Sequence, residues 1–201
     1  MTQIRVLFVC SGNRYRSPIA ERLFTARLGA HAPSFLVGSA GTVAAPGSPM
    51  SPHAAKSIAD LGGASEPFAA RLLTADLVAS ADLVLGLGRE HREAAARMYP
   101  AALRRCFVLE EFVRLARAGT ESGPVRHSDD PDSVPALVAR AAEVRAWWPP
   151  AAPEADDVAD PDGLPEQAVR WCAVRIDHAV RRLADALTGV TVAIDAPCVD
   201  G

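Results

Sequence analysis

Arg5-Val6-Leu7-Phe8-Val9-Cys10-Ser11-Gly12-Asn13-Arg14-Tyr15-Arg16-Ser17-Pro18-Ile19-Ala20 divides into three parts. Arg5 to Val9 is a short apolar run with β-branched residues and reads as a buried strand. Cys10 to Arg16 holds a glycine and an asparagine between polar residues and reads as a tight loop. Ser17 then has the side chain of a helix cap, with Pro18 at the first helical position, where its missing N–H does no harm. Ile19, Ala20, Leu23, Phe24 and Leu28 fall on one helical face, and Gly29 ends the helix.

The same alternation continues along the chain. Phe35 to Gly38 reads as a second strand, and Gly41 to Pro52, rich in Gly, Pro and Ser, as a loop. Ser51 to Leu61 is predicted helical, Leu72 to Ala79 likewise. Asp82 to Leu87 reads as a third strand, Arg89 to Met98 as a helix and Arg105 to Leu109 as a short fourth strand. Gly86-Leu87-Gly88 lacks the third glycine of a nucleotide fingerprint and is read as a strand-to-helix turn. Residues 116–157 differ in composition, with Gly119, Pro124, the acidic run Asp129-Asp130-Pro131-Asp132, Pro135 and Pro149-Pro150. They are read as a surface insertion of a single domain spanning 1–201, with one helix over Ala136 to Trp148 whose tryptophans lie on a shielded face. From Pro165 a long helix directs Val169, Cys172, Ile176, Val180, Leu183 and Leu187 to the core, and the tail 188–201 is read as frayed. Strands alternating with helices predict an α/β fold, a four-stranded parallel sheet with helices on both faces. Ligands of such sheets bind beyond the carboxyl ends of the strands, where the Cys10 loop follows the first strand.

Bulk properties narrow the classes. The formal net charge of -3 over 201 residues gives no field that draws the chain to nucleic acid or to anionic lipid. No apolar run is long enough to insert in a membrane, and no signal peptide is read at Met1-Thr2-Gln3-Ile4-Arg5. Cys10, Cys106, Cys172 and Cys198 include no Cys-x-x-Cys pair, and the five histidines form no His-x-x-x-His pair. The expectation is a cytoplasmic protein that holds no metal and no cofactor, with Cys106 and Cys172 as buried structural thiols.

In the loop, a cysteine followed by five residues and an arginine is a weak signal alone, since arginines are frequent here; only Cys10 has such a partner, Arg16. Context sharpens it. A strand-to-helix turn aims successive backbone N–H groups of Ser11 to Ser17 into one hollow, an anion site reinforced by the helix dipole. Gly12 and Asn13 tolerate the left-handed backbone such a turn needs. Arg16 offers a planar fork for two phosphoryl oxygens, and the same positive surroundings favour the thiolate of Cys10. Ser17 can donate to the sulfur and ease its departure.

With its following residues, Val9 to Glu21 resembles the active-site stretch of the low-molecular-weight protein tyrosine phosphatases. Ser39-Ala40-Gly41-Thr42, Ala70-Arg71-Leu72-Leu73, Ala81-Asp82-Leu83-Val84-Leu85 and Asp160-Pro161 before Gly163 resemble later landmarks in order. The resemblance covers most of residues 4–115 and 156–187. It implies a phosphate monoester hydrolase acting through a cysteinyl-phosphate, with Cys10 as nucleophile and Arg16 as clamp. The phosphate-binding residues would be Ser11, Gly12, Asn13, Arg14, Tyr15, Arg16 and Ser17. Asn13 would support the loop with Ser39 as its partner, and Asp160 would be the general acid. Asp160 is preferred to Asp130, the other Asp-Pro aspartate, because it precedes a helix with an apolar face. Three departures stand out. Tyr15 replaces the second loop cysteine of many members, Asp162 replaces an aromatic residue after the Asp-Pro pair, and Val43 to Met50 has no aromatic. Protein phosphotyrosine is the expected substrate, a small phosphate ester the alternative. Arsenate reduction ranks below both, because the nearest further cysteine in sequence, Cys106, lies in a strand.

Overall fold

A computed structural model describes residues 3–121 and 133–189. Four strands, β1 (Ile4–Cys10), β2 (Phe35–Gly41), β3 (Leu83–Gly86) and β4 (Cys106–Val108), form one parallel sheet in the order β2-β1-β3-β4. The expected α/β architecture is present. The two-residue period of β1 divides the core: Val6, Phe8 and Cys10 lie on one side, Leu7 and Val9 on the other.

The first side is covered by α1 (Arg16–Leu28), α2 (Pro52–Asp60), α5 (Leu109–Glu121) and α8 (Glu166–Thr188). Phe8, Phe24 and Phe35 stack edge-to-face here, with centroids 5.7 and 6.1 Å apart. A buried carboxylate ties α1 to α8: Asp177 accepts from Arg27 and from Arg181, both at 2.8 Å. The other side is covered by α3 (Ala75–Ser80) and α4 (Arg89–Met98), over Leu7, Val9, Val84 and Cys106.

Several boundaries differ from the sequence reading for identifiable reasons. β2 runs on to Gly41 because its last residues pair with Phe8, Val9 and Cys10 of β1. The segment at Leu72 is not helical: Gly41 and Leu72 form a parallel bridge, and α3 begins only after Thr74, whose hydroxyl accepts from the Leu77 amide at 3.3 Å. α1 begins at Arg16, so Ser17 is inside the first turn and does not cap it.

Within 116–157, α5 continues to Glu121, α6 spans Val134–Val144 and α7 spans Pro153–Asp156. The helix ends before the tryptophans, which are not shielded: Trp147 is 60 % exposed. α6 buries Leu137, Val138 and Ala141 in the main core, and Arg145 donates to the Cys106 carbonyl at 2.8 Å with its guanidinium over the Phe107 ring. The acidic run Asp129 to Asp132, Cys198 and most of the tail lie outside the described residues.

Phe24, fully buried between two rings, is the test of this core. Phe24→Ala is expected to lower unfolding free energy by about 3–5 kcal/mol, read from urea denaturation.

Candidate active site

The carboxyl end of β1 delivers Cys10, 2 % exposed, into the loop leading to α1. Two backbone bonds brace the loop from the β2 side: the Thr42 amide donates to the Cys10 carbonyl at 2.9 Å and the Val43 amide to the Ser11 carbonyl at 3.0 Å. The chain approaches so closely there that a Cβ on Gly41 would stand 2.4 Å from the Ser11 carbonyl oxygen, which explains a glycine at 41.

Asn13 is the one described non-glycine residue with positive φ, at 52°. Gly12, also expected to be left-handed, is not among the positive-φ glycines. The Asn13 amide is fully buried and fully used. Its Nδ2 donates to Ser17 Oγ at 2.9 Å and to Ser39 Oγ at 2.8 Å, while its Oδ1 accepts from the Arg71 amide at 2.8 Å. Ser39 in turn donates to Glu21 Oε2 at 2.5 Å. Glu21 and Arg71 therefore belong to the loop's support, roles the sequence reading did not assign.

Ser17 faces inward. Its hydroxyl lies 2.9 Å from Cys10 Sγ and 3.3 Å from the Ala40 carbonyl. Ser17 Oγ accepts from Asn13 Nδ2, and its one hydrogen faces two acceptors, the Cys10 sulfur and the Ala40 carbonyl. This inward turn is why Ser17 does not serve as a cap. Tyr15, at the N-terminal boundary of α1, is half-buried and packs on the core edge, while Arg14 is exposed with its guanidinium 5.9 Å from the Tyr15 ring centroid.

Arg16 is buried apart from a 4 % remnant and is held from two sides. Its Nη1 donates to the Val158 carbonyl at 3.2 Å, and its Nη2 to Ser11 Oγ at 3.1 Å and to Asp160 Oδ2. The loop carrying Asp160 is tied to the sheet: the Val158 amide donates to the Leu87 carbonyl at 2.9 Å and the Arg89 amide to Asp157 Oδ1 at 3.0 Å. Just before it, Asp156 pairs with Arg114 through both oxygens. The structure thus brings Asp160, 144 positions away in sequence, to the loop arginine. Asp130 lies outside the described residues.

One neighbour was missed. His91, near the start of α4, is 1 % exposed with Nε2 3.0 Å from Ser11 Oγ. Burial, and next the Arg16 charge, lower its pKa to about 4. The only available signal was its place just after the Gly86-Leu87-Gly88 turn. That turn is tight: a Cβ on Gly86 would stand 2.6 Å from the Arg92 amide nitrogen. Of the other thiols, Cys106 is buried with its pKa raised by burial. Cys172 is only partly buried as a residue, yet burial of its thiol pushes the pKa to about 12. No cluster of three or more His, Cys, Asp or Glu side chains suited to a metal is found among the described residues. No helix among them is long and apolar enough to cross a membrane.

A buried cysteine at a strand end, an arginine six positions on and an aspartate brought to it define a cysteine-dependent phosphatase of the small parallel-sheet class. Residues 5–132 match the model of the low molecular weight phosphotyrosine protein phosphatases, and the chain belongs to that family. It is 34% identical over 183 residues to a protein-arginine-phosphatase of Geobacillus stearothermophilus, covering 91% of this chain and 95% of that protein. It is 41% identical over 86 residues to the low molecular weight protein-tyrosine-phosphatase Etp of Escherichia coli, covering 43% of this chain and 55% of that one. Among solved structures, the YwlE arginine phosphatase of Geobacillus stearothermophilus superimposes with a TM-score of 0.66 at 27% identity, over 92% of this chain and 94% of that one. The low molecular weight protein tyrosine phosphatase from T. tengcongensis gives 0.67 at 26%, over 92% and 100%.

Asn13→Ala strips partners from Ser17, Ser39 and the Arg71 amide and forces alanine into a left-handed backbone. It is expected to cost at least about 1–3 kcal/mol of stability by denaturant titration, the penalty for one unpaired buried group. Asn13→Gly, which relieves only the backbone, is expected to recover a minor part.

Proposed function

We propose that the chain hydrolyses phosphotyrosine in proteins through a cysteinyl-phosphate on Cys10, without a metal. The observation that carries the reading is the convergence of Cys10 Sγ, Ser17 Oγ, the Arg16 guanidinium and Asp160 at one loop.

The steps follow from that arrangement. Ser11 to Ser17 receive the phosphoryl oxygens through the loop amides, and Arg16 clamps two of them. Arg16 keeps its bonds to Val158 and Ser11, while one phosphoryl oxygen takes the place of Asp160 on Nη2 and a second takes a guanidinium N–H that those bonds leave unused. The thiolate of Cys10 attacks phosphorus, forming the S–P bond as the P–O bond to the substrate breaks. Asp160, in its protonated form, gives its hydrogen to the leaving oxygen. Water then attacks phosphorus, Asp160 takes a proton from it, and the sulfur departs as a thiolate stabilised by the Ser17 hydroxyl.

Depth selects the substrate class. With Cys10 only 2 % exposed, a phosphoryl group must be carried inward on a long side chain. Tyrosine has that reach and serine or threonine does not. Tyr15, half-buried beside the loop, supplies an aromatic surface for the phenol ring. Phosphoarginine is the second reading. It has equal reach, the relative aligned along most of the chain is named a protein-arginine-phosphatase, and Asp162 with the exposed Val43 offers no aromatic wall. A small phosphate ester, lacking a protein stem, gains nothing from depth.

Phosphotyrosine peptides, phosphoarginine peptides and a panel of metabolite phosphates should be compared by kcat/KM. Preference for phosphotyrosine is expected; preference for phosphoarginine selects the second reading, and preference for a metabolite overturns both. Cys10→Ser is expected to abolish turnover yet still bind vanadate, and activity should survive a chelator. Asp160→Asn should slow Cys10 phosphorylation by about 10²–10⁴-fold, the range of general acid catalysis, more for phenyl phosphate than for nitrophenyl phosphate. A variant equally active on both esters would remove Asp160 from the acid role.

A further inference from the structure

His91 takes no part in the steps above, yet it is 1 % exposed and in contact with the phosphate loop. A buried imidazole is costly unless both ring nitrogens are satisfied. Here Nε2 lies 3.0 Å from Ser11 Oγ and 3.4 Å from Glu90 Oε1, while Nδ1 is buried and has no partner among the described residues. The charged groups acting on the ring are Arg16 from α1, Asp160 from the acid loop and Glu90 on α4 itself.

These contacts decide the tautomer. An ionised carboxylate only accepts hydrogen bonds, so a bare Nε2 lone pair facing Glu90 would be repelled. Nε2 therefore carries the hydrogen and donates it to Ser11 Oγ, with the Glu90 carboxylate nearby. Ser11 Oγ also accepts from Arg16 Nη2 at 3.1 Å, so both its lone pairs are committed. An oxygen holding two donors from different elements, α4 and α1, is fixed in place, and it fixes in turn the nitrogen that must give up Asp160 to a phosphoryl oxygen.

We propose that His91 is a positioning residue that acts through Ser11 Oγ to hold the Arg16 guanidinium in its clamping orientation when Asp160 leaves it. This rests on the reading of Arg16 as the phosphoryl clamp. The low pKa of His91 agrees with a neutral ring that adds no second positive charge beside that clamp.

The test uses His91→Leu, His91→Gln, Ser11→Ala and the Ser11→Ala/His91→Leu double variant, with nitrophenyl phosphate as substrate and inorganic phosphate as competitive inhibitor. His91→Leu is expected to lower kcat/KM and raise the phosphate inhibition constant by about tenfold, the size of one lost hydrogen bond. His91→Gln, which keeps a side-chain N–H, should recover most of the loss. Ser11→Ala should show the same loss, and adding His91→Leu to it should cost nothing further. In the unsubstituted enzyme, nitrogen NMR should find the ring protonated at Nε2 alone and neutral down to about pH 4. Full additivity of the two substitutions, an unchanged inhibition constant in His91→Leu, or a ring protonated at Nδ1 would each overturn the proposal. The NMR measurement needs no variant, so a misfolded one leaves the outcome decided. Cys10→Ser run alongside separates the two readings, since activity there sinks the thiolate mechanism and leaves the His91 cycle to be judged by phosphate binding alone.

Discussion

A loop that turns its amide hydrogens toward one point gathers partial positive charge and has no partner of its own until an anion arrives. Such a loop must be held from outside, and here one amide side chain does so together with the Thr42 and Val43 amides. Asn13 supplies the left-handed step and bonds Ser17, Ser39 and the Arg71 amide at once. Each partner belongs to a different part of the chain: α1, β2 and the segment that bridges to Gly41. The loop's shape is thereby coupled to the pairing of β1 with β2, and the nucleophile's position to the sheet. The Ser39–Glu21 bond closes the circuit back to α1.

Arg16 poses the opposite problem, a permanent charge taken out of water. Burying it unpaired would cost several kcal/mol. The carbonyl of Val158 and the hydroxyl of Ser11 satisfy two of its hydrogens without neutralising it, and Asp160 supplies the counter-charge. The loop that carries Asp160 to Arg16 is pinned by Leu87, Arg89 and Arg114, which limits how far Asp160 can move.

The meeting of Cys10, Arg16 and Ser17 at one loop was legible as a local pattern of strand, loop and helix, and that of Asn13 with Ser39 and of Asp160 with Arg16 followed from the family resemblance. The parallel sheet followed from the same alternation. What escaped notice was whatever depends on contact between distant elements. Ser17 reads both as a helix cap and as a partner of the sulfur, and its contacts with Cys10 and Ala40 leave only the second. Leu72 reads as the start of a helix, and only the bridge to Gly41 draws it into extended pairing. His91 sits among charged residues on a helix that looks solvent-facing; its burial comes from the tight turn at Gly86 and from the loop across the sheet end.

Residues 116–157 show the same limit from the other direction. Their prolines and polar residues read as surface, and Pro149 and Pro150 are exposed. Yet α6 places Leu137, Val138 and Ala141 in the core beside α5, and Arg145 reaches back to cap the carbonyl of Cys106 at the end of the sheet. The Arg145 guanidinium also lies over the Phe107 ring of the edge strand β4, 4.4 Å from its centroid, on a ring that packs edge-to-face on Phe112. The segment is anchored to the edge strand of the sheet through Arg145, and α6 is therefore part of the domain's core.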